Sequence, residues 1–298
     1  MYRPYRSVLY VPASNARAME KARDLAVDAI IFDLEDAVAP AEKIAARDLL
    51  ARALLADYGS RARIVRINGF DTQWGEGDAR VFARGADAVL IPKVNRGADL
   101  DRAASLIPTV PIWAMLETPA GVLNAGEIAA HPRLGGMVMG TNDLAKDLNA
   151  RVRPDRLPLM AGLGLCLLAA RSHGRVILDG VYNAFQDDEG LRAECEQGRD
   201  MGFDGKTLIH PAQLAVANEV FGPSAAEIDL ARRQIAAFDA GRAQGKGIAV
   251  VDGSIVENLH VATARATLAA AEAIALRGVG GPRPVAMRDC DHNVGALG

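Results

Sequence analysis

AIIFDLED, residues 29–36, places three carboxylates, Asp33, Glu35 and Asp36, directly behind a run of branched and aromatic apolar residues. A run this short and this continuous in hydrophobicity reads as a strand buried on both faces. Acids at its end stay ionised only if a cation lies opposite them. Seven further stretches repeat the plan: RSVLYVP (6–12), RIVRIN (63–68), AVLIPK (88–93), PIWAMLET (111–118), GMVMGTND (136–143), RVILDGVYN (175–183) and GKTLIHP (205–211). Between them lie amphipathic segments such as NARAMEKARDL, EKIAARDLLARALL and EGLRAECEQGRDM. Eight strands alternating with helices predict an α/β fold, a closed (β/α)8 TIM barrel with a C-terminal helical appendage.

The polar residues give the barrel its direction. Asp33, Glu35, Asp36, Arg66, Lys93, Glu117, Asn142, Asp143, Asn183 and His210 all fall where strands end, the face on which this architecture builds its sites. The barrel is expected over residues 1–220, a helical extension or lid over 221–277, and a flexible, Gly- and Pro-rich tail over 278–298. The extension comprises a helix from AAEIDLARRQ, a Gly-bounded run GIAVVDGSIV and a last helix from ENLHVATARA.

The totals exclude several functions. A net charge of -3 on 298 residues argues against a dedicated binder of nucleic acid or anionic membrane. LPLMAGLGLCLLAA is too short to span a bilayer and reads as a buried helix. The N-terminus lacks a secretory leader, and Cys166, Cys195 and Cys290 form no CxxC pair, which suits a cytoplasmic protein. GLGLC and GVGGP lack the context of a dinucleotide fingerprint, and there is no phosphate-binding GxxxxGKS/T loop and no GxSxG elbow. His131, His173 and Cys166 read as structural residues.

Glu117 and Asp143 stand singly at the ends of neighbouring strands. Two carboxylates with open positions for water or substrate oxygens suit Mg2+; pairing with an arginine or capping the next helix is the alternative. Arg66 offers a rigid fork to a substrate carboxylate or a developing oxyanion, or to the acids of strand two, and both can hold together. Glu35 or Asp36 would then accept hydrogen bonds from metal-bound water.

RSVLYVPAS, IIFDLEDAVAPAEK, VRIN, MLETP, MGTNDL and GKTLIHPAQ, in order over residues 6–275, resemble the citrate lyase beta subunit and malyl-CoA lyase family of the HpcH/HpaI aldolase superfamily. The resemblance implies Mg2+, or Mn2+, on Glu117 and Asp143. It also implies Arg66 on the keto acid or carbonyl oxygen, with the backbone of Gly140, Thr141 and Asn142 lining the acid pocket. Arg6, Lys43, Arg47 and the His210–Pro211 turn are the candidates for the CoA part of an acyl-CoA substrate. A homotrimer or homohexamer is implied as well.

One position departs from the family pattern. Its lyases carry a segment like DGxMID whose last Asp reaches a neighbouring subunit's site as acid/base; here DGSIVENLH puts Glu257 at that position. A glutamate at a helix N-terminus is also favoured by the helix dipole alone. Together with NAFQDDEGLRAECEQGRDMGFDG, this segment resembles the branch that hydrolyses the thioester of (3S)-malyl-CoA, with Arg66, Glu257 and Asp36 as the catalytic set. C–C lyase, CoA-independent aldolase and inactive binding module are the alternatives.

Overall fold

The computed structural model describes residues 3–278, so all of the expected tail but Gly278, and Cys290 with it, lies outside the described residues. Eight parallel strands close into a barrel in sequence order: β1 (Ser7–Pro12), β2 (Ala29–Asp33), β3 (Ala62–Arg66), β4 (Ala88–Ile91), β5 (Ile112–Leu116), β6 (Leu134–Met139), β7 (Val176–Asp179) and β8 (Gly205–Leu208), with β8 pairing back onto β1. All eight expected strands are present. After β1 each ends two or more residues earlier than the sequence pattern suggested, because the polar closing residues belong to the loops of the mouth.

The helices are α1 (Ala16–Lys21), α2 (Lys43–Ala53), α3 (Gly75–Phe82), α4 (Gly97–Leu106), α5 (Pro119–Leu123), α6 (Ala125–Ala130), α7 (Thr141–Asp147), α8 (Met160–Ser172), α9 (Asp188–Met201), α10 (Leu214–Phe221), α11 (Ala225–Ala243) and α12 (Asn258–Gly278). Strand alternation sorts the core into two shells. Val8, Ile31, Ile64, Leu90, Met115, Val138 and Leu178 fill the lumen, while Ile30, Phe32, Val65, Val89, Leu116 and Met139 face the helices.

One expectation about the helices is corrected. α8 carries MAGLGLCLLAA but is not buried all round: Leu163, Cys166 and Ala170 pack inward, whereas Leu165 is 48% and Leu168 70% exposed. A helix on the outside of a barrel has one face to bury, whatever its composition. Among the described residues, the one helix long and apolar enough to cross a membrane, by length and composition, is Asn258–Arg277 in α12.

That helix belongs to the appendage. α11, the hairpin β9 (Ala249–Val251) and β10 (Ser254–Val256), and α12 surround a small core of Phe238, Val251, Val256 and Val261. Near its C-terminal end α12 meets the N-terminal face of the barrel, where Arg277 Nη1 lies 3.4 Å from Asp28 Oδ1 just ahead of β2. Its other end, about 30 Å away along the helix, carries the hairpin and Glu257, and exposes Ile248, Val250, Ile255 and Leu259.

Candidate active site

The lumen alternation continues one layer upward and there turns polar. Above Ile31 comes Asp33, above Ile64 comes Arg66, and above Met115 comes Glu117. Asp33 and Arg66 are register partners across β2 and β3. Arg66 therefore clamps Asp33 with its fork, Nε to Oδ1 at 2.7 Å and Nη2 to Oδ2 at 2.6 Å. Its third nitrogen, Nη1, donates to Asp36 Oδ2 at 3.1 Å and lies 3.0 Å from Glu35 Oε2, an ion pair without hydrogen-bond geometry. The guanidinium lies 5.1 Å from the centre of the Tyr10 ring. The acids of strand two thus have their cation, as their sequence demands.

Glu117 is fully buried. Oε1 accepts from the backbone N–H of Lys93 at 2.7 Å, and Oε2 has no hydrogen-bond partner. Burial, with the Glu35 charge second, pushes its pKa up to about 7. The β6 end comes close: a Cβ added to Gly140 would lie 2.3 Å from Glu117 Cβ and 2.7 Å from Oε2. Asp143, in the first turn of α7, is half-buried, caps nothing and makes no hydrogen bond or ion pair among the described residues. Neither carboxylate is paired with an arginine. A buried carboxylate oxygen without a partner is costly, and the donor set, two hard oxygens, fits a hard divalent cation. Among the described residues no group of three or more His, Cys, Asp or Glu forms a metal cage, so water or substrate oxygens would complete the coordination.

The rest of the mouth is built by loop packing. Thr141 is buried against Gly180 at the end of β7, where any Cβ would meet Thr141 Oγ1 at 2.2 Å. Asn142 and Asn183 exchange hydrogen bonds between their side-chain amides at 2.8 and 3.2 Å. His210 stacks on Phe185 with ring centres 4.6 Å apart and caps the turn that begins at Pro211.

The basic residues assigned to CoA are placed differently from one another. Lys43 is buried, its ammonium turned to the carbonyls of Leu34 (2.8 Å) and Glu35 (2.5 Å) and set 5.7 Å from the Trp74 ring. Arg47 is tied to Asp78 Oδ1 at 2.6 Å and to the Trp74 carbonyl at 2.9 Å. Arg6 precedes β1 and is held by Asp28 at 2.9 Å, which puts it at the end of the barrel away from the mouth. Glu257 is exposed; its N–H donates to His260 Nδ1 at 3.0 Å, and its carboxylate makes no hydrogen bond or ion pair among the described residues.

Two features carry weight that sequence reading did not assign. Lys93 binds both Glu117, through its backbone, and Glu35, through its ammonium. Its signal was its place at a strand end. The second is a charge cluster between the barrel wall and α9: Asp179 on β7 accepts from Arg156 Nη1 at 2.7 Å and from Lys206 Nζ at 3.1 Å, and Lys206 also donates to Glu194 at 2.6 Å. Asp179 Oδ1 also accepts from the N–H of Gly180, the residue against which Thr141 packs.

Residues 6–211 match the family model HpcH/HpaI aldolase/citrate lyase. The chain is 71% identical over 274 residues to a (3S)-malyl-CoA thioesterase of Cereibacter sphaeroides strain KD131, covering 91% of this chain and 96% of that one. It is 35% identical over 282 residues to the citrate lyase subunit beta of Leuconostoc mesenteroides, covering 90% and 93%. A crystal structure of CitE from Mycobacterium tuberculosis, in complex with magnesium, acetoacetate and coenzyme A, superposes with a TM-score of 0.76 at 32% identity, covering 90% of this chain and 98% of the other. The chain belongs to the HpcH/HpaI aldolase/citrate lyase family, and the barrel read from its sequence is the fold of that family.

Proposed function

We propose that this protein hydrolyses the thioester of a 3-hydroxydicarboxyl-CoA in a Mg2+-dependent reaction, with (3S)-malyl-CoA giving malate and CoA. The observation that carries this reading is the 71% identity, over nearly the whole of both chains, to a (3S)-malyl-CoA thioesterase. The two carboxylates without a cation partner support it independently. Glu117 and Asp143 would hold Mg2+, which when bound supplies Lewis-acid polarisation of substrate oxygens. Gly140, Thr141 and Asn142 offer backbone at the α7 N-terminus for the substrate's free carboxylate. His210 and Pro211 would meet the CoA arm at the rim, and Lys43 and Arg47, which hold the loops after β2 and β3, would face it from there; Arg6, at the far end of the barrel, would reach CoA only across subunits.

Hydrolysis adds water to the thioester carbonyl carbon and breaks the C–S bond. A base must take a proton from the water, a charge must face the carbonyl oxygen, and the leaving sulfur must gain a proton. Arg66 presents Nη1, the nitrogen outside the Asp33 clamp, to the developing oxyanion. Asp36 and Glu35 hold that nitrogen in place. Glu257, supplied by a neighbouring subunit of a homotrimer or homohexamer, takes the proton from water and returns one to sulfur. We place the enzyme in the cytoplasm.

A second reading, C–C cleavage to a keto acid and an acyl-CoA, is favoured by the 35% identity to a citrate lyase subunit beta. One assay separates the two. Incubated with (3S)-malyl-CoA and Mg2+, the protein is expected to release CoA thiol without glyoxylate, and to stop when a chelator is added. Glyoxylate without free thiol would make it a lyase.

A further inference from the structure

Lys93 adopts a left-handed backbone, φ 52°, without being a glycine, a conformation that costs an L-residue energy. The conformation aims its N–H at Glu117 Oε1, 2.7 Å away, while its ammonium reaches across to Glu35 Oε1. The Oε2 atoms of both acids are left buried and without a hydrogen bond. One residue therefore takes one oxygen of each carboxylate; Glu117 Oε2 is left open, while Glu35 Oε2 faces Arg66 Nη1 at 3.0 Å.

The charges around it do not balance. Three carboxylates, of Asp33, Glu35 and Asp36, share the Arg66 guanidinium, and among the described residues Lys93 is the other side-chain cation paired with any of them, through Glu35. Arg66 is buried and clamped by both oxygens of Asp33. The Lys93 side chain is 47% exposed and anchored at one point, so it can swing out.

We propose that the Lys93 ammonium is a resident counter-charge of this site: it neutralises Glu35 before a divalent cation enters, and competes electrostatically with that cation once it does. Lys93 is thus a positioning residue that keeps the acids compatible with a folded, metal-free mouth and holds divalent affinity down. The inference rests on the reading of Glu117 and Asp143 as cation ligands.

The test is a calorimetric titration of Mg2+ into the full-length protein after chelator treatment and dialysis, paired with melting curves with and without Mg2+. Lys93→Gly adopts φ 52° freely, keeps the N–H to Glu117 and deletes the ammonium. Lys93→Asn is a second variant of a residue type that tolerates this backbone, and Lys93→Arg restores the charge. The expected result is a Mg2+ Kd about tenfold lower in Lys93→Gly and Lys93→Asn, a lower melting temperature without metal, and a return toward wild-type affinity in Lys93→Arg. Unchanged or weaker Mg2+ binding in both the Gly and Asn variants would overturn the proposal while leaving the cation site standing. No Mg2+ binding by the wild type or any variant would overturn both.

Discussion

If Glu117 is a Mg2+ ligand, as proposed, a proton and the cation compete for it. Its carboxyl, ordinarily near 4.5, is pushed up to about 7 by burial first and by the Glu35 charge second. In the metal-free fold Glu117 therefore binds a proton between those values that the unfolded chain has released. Its contribution to stability is fully present below pH 4.5 and is lost as pH rises through 7. Mg2+ binding runs the other way, since the ligand must be ionised. Titrations at pH 5.5, 6.5 and 7.5 should show Mg2+ affinity falling by roughly tenfold per unit below pH 7, with proton release visible in buffers of different ionisation heat. A flat profile would mean that Glu117 is not a ligand. Lys206 poses the opposite case, a fully buried cation held by Asp179 and Glu194. Replacing Lys206 with Met leaves those acids short of a partner and should cost about 3–5 kcal/mol in urea unfolding. Polar residues at strand ends could be found from sequence, because the change from apolar to charged marks them. Whether a polar side chain near the mouth faces it, like Arg66, or turns to backbone carbonyls, like Lys43, depends on loop paths that no local pattern encodes.

At the scale of the elements, the site depends on how closely β5 and β6 approach. Glu117 follows β5 and Gly140 follows β6, with the Gly140 N–H donating to the Leu116 carbonyl at 2.9 Å. A methyl group at Gly140 would overlap Glu117 Cβ. Gly140→Ala should therefore displace the Glu117 carboxylate and weaken Mg2+ binding by at least about tenfold, with a loss of roughly 1–3 kcal/mol in stability from overpacking. Calorimetry and a melting curve on the same sample separate the two effects, and retained Mg2+ affinity would show that the strand ends can shift apart. The strands themselves were legible because each is a short apolar run bounded by polar residues. The helices were less so. α8 is apolar enough to suggest full burial, yet exposes Leu168 to solvent, since composition says how much a helix could bury and the barrel decides how much it does. The Arg156–Asp179–Lys206 cluster joins residues from a loop and two strands, and sequence spacing gives no hint of such a meeting.

For the whole molecule, the appendage sets the question of assembly. Its two helices pack chiefly on each other and on the hairpin. α12 touches the N-terminal face of the barrel near Arg277, and the opposite tip carries Glu257 beside exposed Ile248, Val250, Ile255 and Leu259. An apolar tip of this kind is poorly suited to solvent. A head-to-tail ring in which each tip covers the next subunit's mouth would bury it and deliver Glu257 to that subunit's carboxylate-lined site. Such an arrangement predicts complementation. Glu257→Ala lacks the base and Glu117→Gln lacks a metal ligand, so each alone should lose nearly all turnover of (3S)-malyl-CoA. Mixed at equal concentration and allowed to exchange subunits, the two variants form sites that take their barrel from one chain and their tip from another. Roughly one site in four then combines a native barrel with a native tip, and activity should recover toward that fraction of wild type. If Glu257 served the barrel of its own chain, no mixed oligomer would contain an intact site and mixing would restore nothing.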